Sequence, residues 1–102
     1  MMAADFSDVV RFMSFVDKLP SGCWFWEGAR SRGQGNRKWY GSFYLRSGVV
    51  RAHRFSAVVI GNQRELLAGE HRDHTCHFSL CVNPDHLEIV SKEENQARKR
   101  RE

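Results

Sequence analysis

The sequence predicts a small α+β single domain, and three observations lead there. Its 102 residues leave room for one core only. Apolar residues recur at helical spacing near the amino end, and a capping pattern opens a second helix near the carboxyl end. Between the two lie short aromatic runs separated by turn residues, followed by a loop dense in His and Cys.

In the stretch from Asp5 to Leu19, Phe6, Val9, Val10, Met13 and Val16 fall on one helical stripe that Phe12, Phe15 and Leu19 widen. This predicts an N-terminal helix over about 5–19, capped by Asp5 or Ser7 and ended by Pro20-Ser21-Gly22. A short aromatic strand is expected at Cys23 to Trp26, and then a loop rich in Gly, Arg, Ser and Asn. Trp39 to Leu45 and Val49 to Arg51, joined by a turn at Arg46 to Gly48, read as a basic β-hairpin over about 38–51. Ala52 to Ile60 reads as a helix. The segment from His71 to His86 holds too many His, Cys, Asn and Pro residues for a regular element and is expected to be a loop wrapped around a metal. Leu87 to Val90 reads as a strand, and Ser91-Lys92-Glu93-Glu94 has the form of a capping box before a final helix that ends in Arg98-Lys99-Arg100-Arg101. No internal repeat or composition break divides the chain, so residues 1–102 are read as one domain.

The formal charge of +4 and pI near 9.3 suit an anionic partner, but the distribution says more than the total. Between Glu27 and Glu65 there is no acidic residue, while Arg30, Arg32, Arg37, Lys38, Arg46, Arg51, Arg54 and Arg64 are all basic. That is the electrostatic footprint expected of a double-stranded DNA partner, with Arg30, Arg32, Arg37, Lys38 and Arg51 as candidate groove or backbone contacts. Helix stability accounts for part of the basic carboxyl-terminal cluster without DNA. No apolar run approaches the roughly 18 to 20 residues needed to cross a bilayer, and no signal-like segment is seen, so the expected setting is intracellular, cytoplasmic and off the membrane. The surplus apolar residues Phe12, Phe15 and Leu19 permit a homodimer through the first helix.

A chain this short needs a staple. One disulfide would leave an odd thiol among the three cysteines, whereas three thiolates and one imidazole complete a tetrahedral zinc shell. Cys76, Cys81 and His86 are evenly stepped in the loop, and Cys23 lies far upstream. Four protein ligands would close the shell and make the site structural. His71, His74 and His77 are alternatives to His86, which is preferred because it stands just before the strand that fixes the far end of the loop.

Asp73-His74-Thr75-Cys76, continued through Cys81-Val82-Asn83-Pro84-Asp85-His86-Leu87 to Asn95, resembles the ββα-metal, or His-Me finger, nucleases. Within that group the chain resembles the zinc-bearing His-Cys box homing endonucleases and small phage HNH enzymes. The likeness extends upstream through Ala52-His53-Arg54 and Cys23-Trp24-Phe25-Trp26. It implies a ββα-metal motif, with the zinc loop, over about 71–101. It also implies a DNA endonuclease encoded by a phage or mobile element, with His74 activating water and Asn95 holding a catalytic Mg²⁺ or Mn²⁺. His86 then serves structural Zn²⁺, where the plain HNH pattern has an asparagine supporting the base. Asp73 matches a second ligand of the catalytic cation in some relatives, and Arg54 matches a recurrent position suited to the scissile phosphate. The chemistry agrees: imidazole accepts a proton near neutral pH, and a hard cation stabilises charge on the phosphate.

Two other classes compete. A catalytically silent zinc module that binds nucleic acid needs the basic stretch and the zinc loop but not the pair His74 and Asn95. A zinc-stabilised protein-interaction domain needs neither that pair nor the acid-free stretch.

Overall fold

The computed structural model describes residues 2, 4–33 and 38–101. Its first element, α1 (Phe6–Met13), is opened by a reciprocal cap in which the Asp5 carboxylate accepts from the Asp8 amide and the Asp8 carboxylate accepts from the Asp5 amide, both at 3.0 Å. The helix is shorter than its apolar pattern predicts. At Ser14 the side chain bonds back to the Arg11 carbonyl at 2.5 Å, and the chain turns into β1 (Val16–Lys18), which pairs antiparallel with β2 (Trp24–Trp26) in the register Val16↔Trp26. Strand pairing here overrides helical periodicity. Gly22, at φ +95°, takes the left-handed conformation that the turn requires.

The basic hairpin forms as β4 (Trp39–Leu45) and β5 (Gly48–Arg51), and a third strand read from sequence as loop, β3 (Arg30–Arg32), adds to its edge in the order β3-β4-β5. The chain then enters α2 (Ala52–Phe55), whose last turn widens into a π turn at Ser56–Ile60 closed by the Gly61 amide on the Ser56 carbonyl at 2.8 Å. Next come β6 (Glu70–His74), a 3₁₀ turn at Pro84–His86, β7 (Leu87–Ser91) and α3 (Lys92–Arg101). The Ser91 hydroxyl accepts from the Glu94 amide at 3.1 Å, which agrees with the expected helix start.

The segment Glu70–His74 was expected to be loop and is a strand. Nothing in Glu-His-Arg-Asp-His favours a strand locally; it forms because β7 supplies five paired positions from Glu70↔Ser91 to His74↔Leu87.

Phe12 is the hub of the core, fully buried with ring centroids 4.7 Å from Trp26, 5.1 Å from Phe43 and 4.8 Å from Phe55. Each such aromatic side chain contributes on the order of 2–3 kcal/mol through burial alone. Phe12 is therefore not surplus surface for a dimer, whereas Phe15, 5.3 Å from Trp26, stays exposed in part; the exposed apolar residues of α1 itself are Phe6 and Val10. Gly41 lets β4 approach this core: a Cβ there would stand 2.5 Å from the Trp26 ring and 2.8 Å from the Ala52 Cβ. Gly41→Ala is expected to lower stability by about 1–3 kcal/mol, the usual cost of overpacking. An unchanged thermal melting temperature would contradict this packing.

Candidate functional site

A strand and a loop far apart in sequence build one metal-type cluster. The 80–82 segment pairs with β2 through Trp26 N–H donating to the Leu80 carbonyl at 3.0 Å, Val82 N–H donating to the Trp24 carbonyl at 2.8 Å, and a bridge at Phe25↔Cys81. The Asn83 side-chain amide continues the contact by donating to the Gly22 carbonyl at 2.6 Å, so Cys23 meets the loop. The ligand atoms of Cys23, Cys76, Cys81 and His86 all lie within 4.8 Å of one another. His86 Nδ1 is 3.7 Å from Cys23 Sγ and 3.4 Å from Cys81 Sγ. A tetrahedral zinc shell with ordinary bond lengths separates sulfur from nitrogen by about 3.6 Å, so this donor set fits the ion. Burial raises the Cys81 and Cys76 thiols above their ordinary range, and a cation is what would hold several thiolates in so small a volume.

The same loop positions His74. It ends β6, and Thr75 N–H donates to the His86 carbonyl at 2.8 Å while His77 N–H donates to the His74 carbonyl at 3.0 Å. His77 takes φ +61°, a left-handed conformation that closes the turn after Cys76. The His74 ring is buried, and the Cys81 backbone lies close enough to favour its protonated form. Among the described residues Nε2 is buried without a partner and out of reach of water, which leaves Nδ1 as the ring nitrogen that a water can meet. Burial, the largest influence, pushes His74 down to about 4, with Asp73 and the Cys81 backbone opposing it. The imidazole is neutral at pH 7.

His53 lies beside it, ring centroid to ring centroid 5.0 Å, and Tyr40 stands 5.8 Å from His53 and 6.3 Å from His74. Burial first, then His74, Arg51 and Arg72, pushes His53 down to about 3. On its other side His53 lines an open cleft of about 540 Å³ together with Arg51, Arg54, Glu65, Leu66 and Arg72. His53 Nδ1 and Arg72 Nε are buried without partners among the described residues. Arg72 escaped the sequence reading, and so did His53 as more than packing. Had Glu70–His74 been read as a strand, its alternation would have put Arg72 on the face of His74.

Asn95 is half-buried in α3. Arg98, one turn later on the same side of the helix, donates to Asp73 at 2.9 Å and to Glu88 at 3.2 Å, with Glu94 at 3.1 Å. The face of α3 that carries Asn95 and Arg98 is thus held to the β6–β7 hairpin beside His74. Asp73 reaches this arrangement already bound to an internal cation.

The basic residues do not share one surface. Arg30 and Arg32 project from one face of the edge strand β3, over the rings of Phe25 at 5.2 Å and Trp39 at 4.7 Å. Arg51 projects from the opposite face of the sheet, where it bonds Ser31 at 2.9 Å and lies 5.0 Å from the Tyr40 ring. Lys38 is exposed, and Arg37 lies outside the described residues. Arg54 is held by Glu65 through two bonds of 3.0 and 2.6 Å.

The family model described as the zinc-binding loop region of homing endonuclease matches residues 29–101, which take in three of the four clustered ligands, His74 and Asn95. The chain belongs to this family of His-Me endonucleases. It is also similar to "Protein 2.8" of Escherichia phage T7, at 38% identity over 87 residues that cover 83% of this chain and 54% of that protein. The chain therefore spans about half the length of that relative. No solved structure matches it. Cys23, which the family match does not include, joins the cluster through β2, so the zinc-type site of this family member is completed from outside its family segment. Among the described residues no helix is long and apolar enough to cross a membrane.

Proposed function

We propose that the chain is a metal-dependent endonuclease of the HNH type that hydrolyses phosphodiester bonds of double-stranded DNA, leaving a 5′-phosphate and a 3′-hydroxyl. The observation that carries the reading is His74 itself: a buried, neutral imidazole with Nε2 turned inward and Nδ1 the nitrogen left open to water, next to a cleft lined by arginines. Nδ1 takes the proton from a water as that water's oxygen bonds to phosphorus and the bond to the 3′-oxygen breaks. The Cys81 backbone beside the ring favours the imidazolium that forms. Since Cys81 is also in the Cys₃His cluster, the structural Zn²⁺ site would hold the base in place indirectly.

Asn95 would hold a hard divalent cation, Mg²⁺ or Mn²⁺, through its amide oxygen, with Asp73 as a second candidate ligand. Such a cation, when bound, stabilises the charge that gathers on the phosphate and the leaving oxygen. A neutral amide and a carboxylate shared with Arg98 suit an ion whose shell is completed by DNA and water. Arg54 would meet the scissile phosphate. Arg30, Arg32, Arg37, Lys38 and Arg51 would contact the duplex, from two faces of the sheet rather than one. The branch nearest to this reading is that of the zinc-bearing His-Cys box and small phage enzymes, and a phage relative agrees with an origin in a phage or mobile element.

A catalytically silent zinc-bearing DNA-binding module is favoured by one feature, the Arg98 guanidinium already on Asp73. Incubating supercoiled plasmid with the pure protein and Mg²⁺ separates the two readings: the endonuclease converts it to nicked or linear DNA, and the silent module leaves it supercoiled. A companion prediction concerns binding. Replacing Arg30, Arg32, Arg37 and Lys38 together with alanine is expected to flatten the slope of log affinity against log salt by about 0.9 for each lost phosphate contact. An unchanged slope would remove β3 and its following loop from the binding surface.

A further inference from the structure

The cleft beside His53 contains a carboxylate for which the endonuclease reading has no use. Glu65 lies among Arg51, Arg54 and Arg72 and meets Arg54 fork to fork, Nε to Oε1 at 3.0 Å and the terminal nitrogen to Oε2 at 2.6 Å. A phosphodiester presents the same edge to a guanidinium, two oxygens sharing one negative charge. Around this one carboxylate the cleft has more positive charge than it can balance, the guanidinium groups of Arg51, Arg54 and Arg72 against Glu65. Among the described residues Arg51 and Arg72 donate to neutral acceptors, the Ser31 hydroxyl at 2.9 Å and the Arg64 carbonyl at 2.7 Å, so Arg54 alone is bonded to the carboxylate.

The loop that carries Glu65 is braced on either side of it. Before it, the Gln63 side-chain amide donates to the Pro84 and Leu87 carbonyls, both at 3.1 Å. After it, Glu70 takes two bonds from Arg64 and accepts from the Leu67 amide at 2.7 Å. Glu65 itself sits at the mouth of the cleft, and both it and Arg54 keep about 40% of their side-chain surface in solvent (39% and 41%). An ion pair that wet is weak and exchangeable, unlike a buried one. Its bond to Arg54 holds the Glu65 carboxyl below its ordinary range, and Arg72 adds to the effect, so the group is charged at neutral pH.

We propose that the Arg51–His53–Arg54–Arg72 cleft is a phosphate-binding site and that Glu65 is its internal occupant, a carboxylate gate that a DNA phosphate displaces from Arg54 on binding. This rests on the reading of the chain as a DNA-acting protein and adds a self-competing contact to it. The gate weakens binding to any phosphate chain that does not fill the whole cleft, because such a ligand must break the Arg54–Glu65 pair without gaining the charge of Arg51 and Arg72.

The test is Glu65→Gln in the zinc-loaded chain, compared with wild type and with Asp17→Asn, which makes the same change of charge at an exposed position of β1. Binding of a short fluorescent duplex is followed by anisotropy across a salt series without added Mg²⁺. The expected result is that Glu65→Gln binds roughly fivefold more tightly than wild type, as freeing one exposed pair allows. Its salt slope should also be steeper by about 0.9, one additional phosphate contact, with Asp17→Asn close to wild type in slope. If Glu65→Gln and Asp17→Asn behave alike, only net charge matters and the gate is wrong. If Glu65→Gln binds more weakly and melts lower, Glu65 is a structural brace and the gate is again wrong. Plasmid cleavage by the same three proteins keeps the two ideas apart. Wild-type cutting with no special effect of Glu65→Gln leaves the endonuclease standing without the gate, whereas tighter binding by Glu65→Gln with no cutting by any of them leaves the gate without the endonuclease.

Discussion

Cys81→Ser is expected to release zinc and unfold the domain. Cys81 is one of the four clustered ligands, its Sγ 3.4 Å from His86 Nδ1, and its backbone bridges Phe25 and lies beside His74. Zinc binding in small finger domains is worth roughly 10 kcal/mol or more. That compares with the total of about 5–15 kcal/mol by which folded domains exceed their unfolded chains. A weaker serine ligand therefore removes most or all of the margin. The largest loss should fall on the β6–β7 hairpin, whose polar β6 has pairing and the zinc loop to hold it but little apolar burial of its own. Elemental analysis should give less than stoichiometric zinc, and a thermal melt should lose its cooperative transition. A zinc-free variant that still melts cooperatively at the wild-type temperature would show that the aromatic core around Phe12 suffices alone.

His74→Ala is expected to lower the rate of DNA cleavage by about 10² to 10⁴ while leaving zinc content and DNA affinity close to wild type, because a general base acts in the transition state and adds little to ground-state binding. The fold should survive. Nε2 has no partner to lose among the described residues, and the backbone bonds of His74 to the turn remain. Asn95→Ala should also lose activity, but partly regain it at high Mn²⁺ or Mg²⁺ as mass action refills a weakened site. His74→Ala has no such rescue. Single-turnover nicking of plasmid by the three proteins over a range of metal concentration measures both effects, and near-wild-type cutting by His74→Ala would remove the base assignment.

These expectations draw on two different kinds of information. Ligand chemistry is local, so the stepped Cys76, Cys81 and His86 announce a metal loop from sequence, and the odd cysteine count brings in Cys23. The Ser91 cap, the β4–β5 hairpin and the acid-free basic stretch are equally legible, since each rests on residue types a few positions apart. What the amino-acid order could not convey is which faces meet. The helix over 5–19 ends at Met13 because β2 offers Val16 a strand partner, and Phe12 becomes the core hub because Trp26, Phe43 and Phe55 converge on it from three other elements. Glu70–His74 is a strand only by virtue of β7. That pairing aligns Arg72 with His74, fixes Asp73 under Arg98, and leaves Glu65 to close on Arg54 across the cleft. Alternation and ligand spacing are properties of neighbouring residues, whereas partners separated by tens of residues are chosen by burial and by the hydrogen bonds that buried groups must satisfy, and only the folded chain brings those into contact.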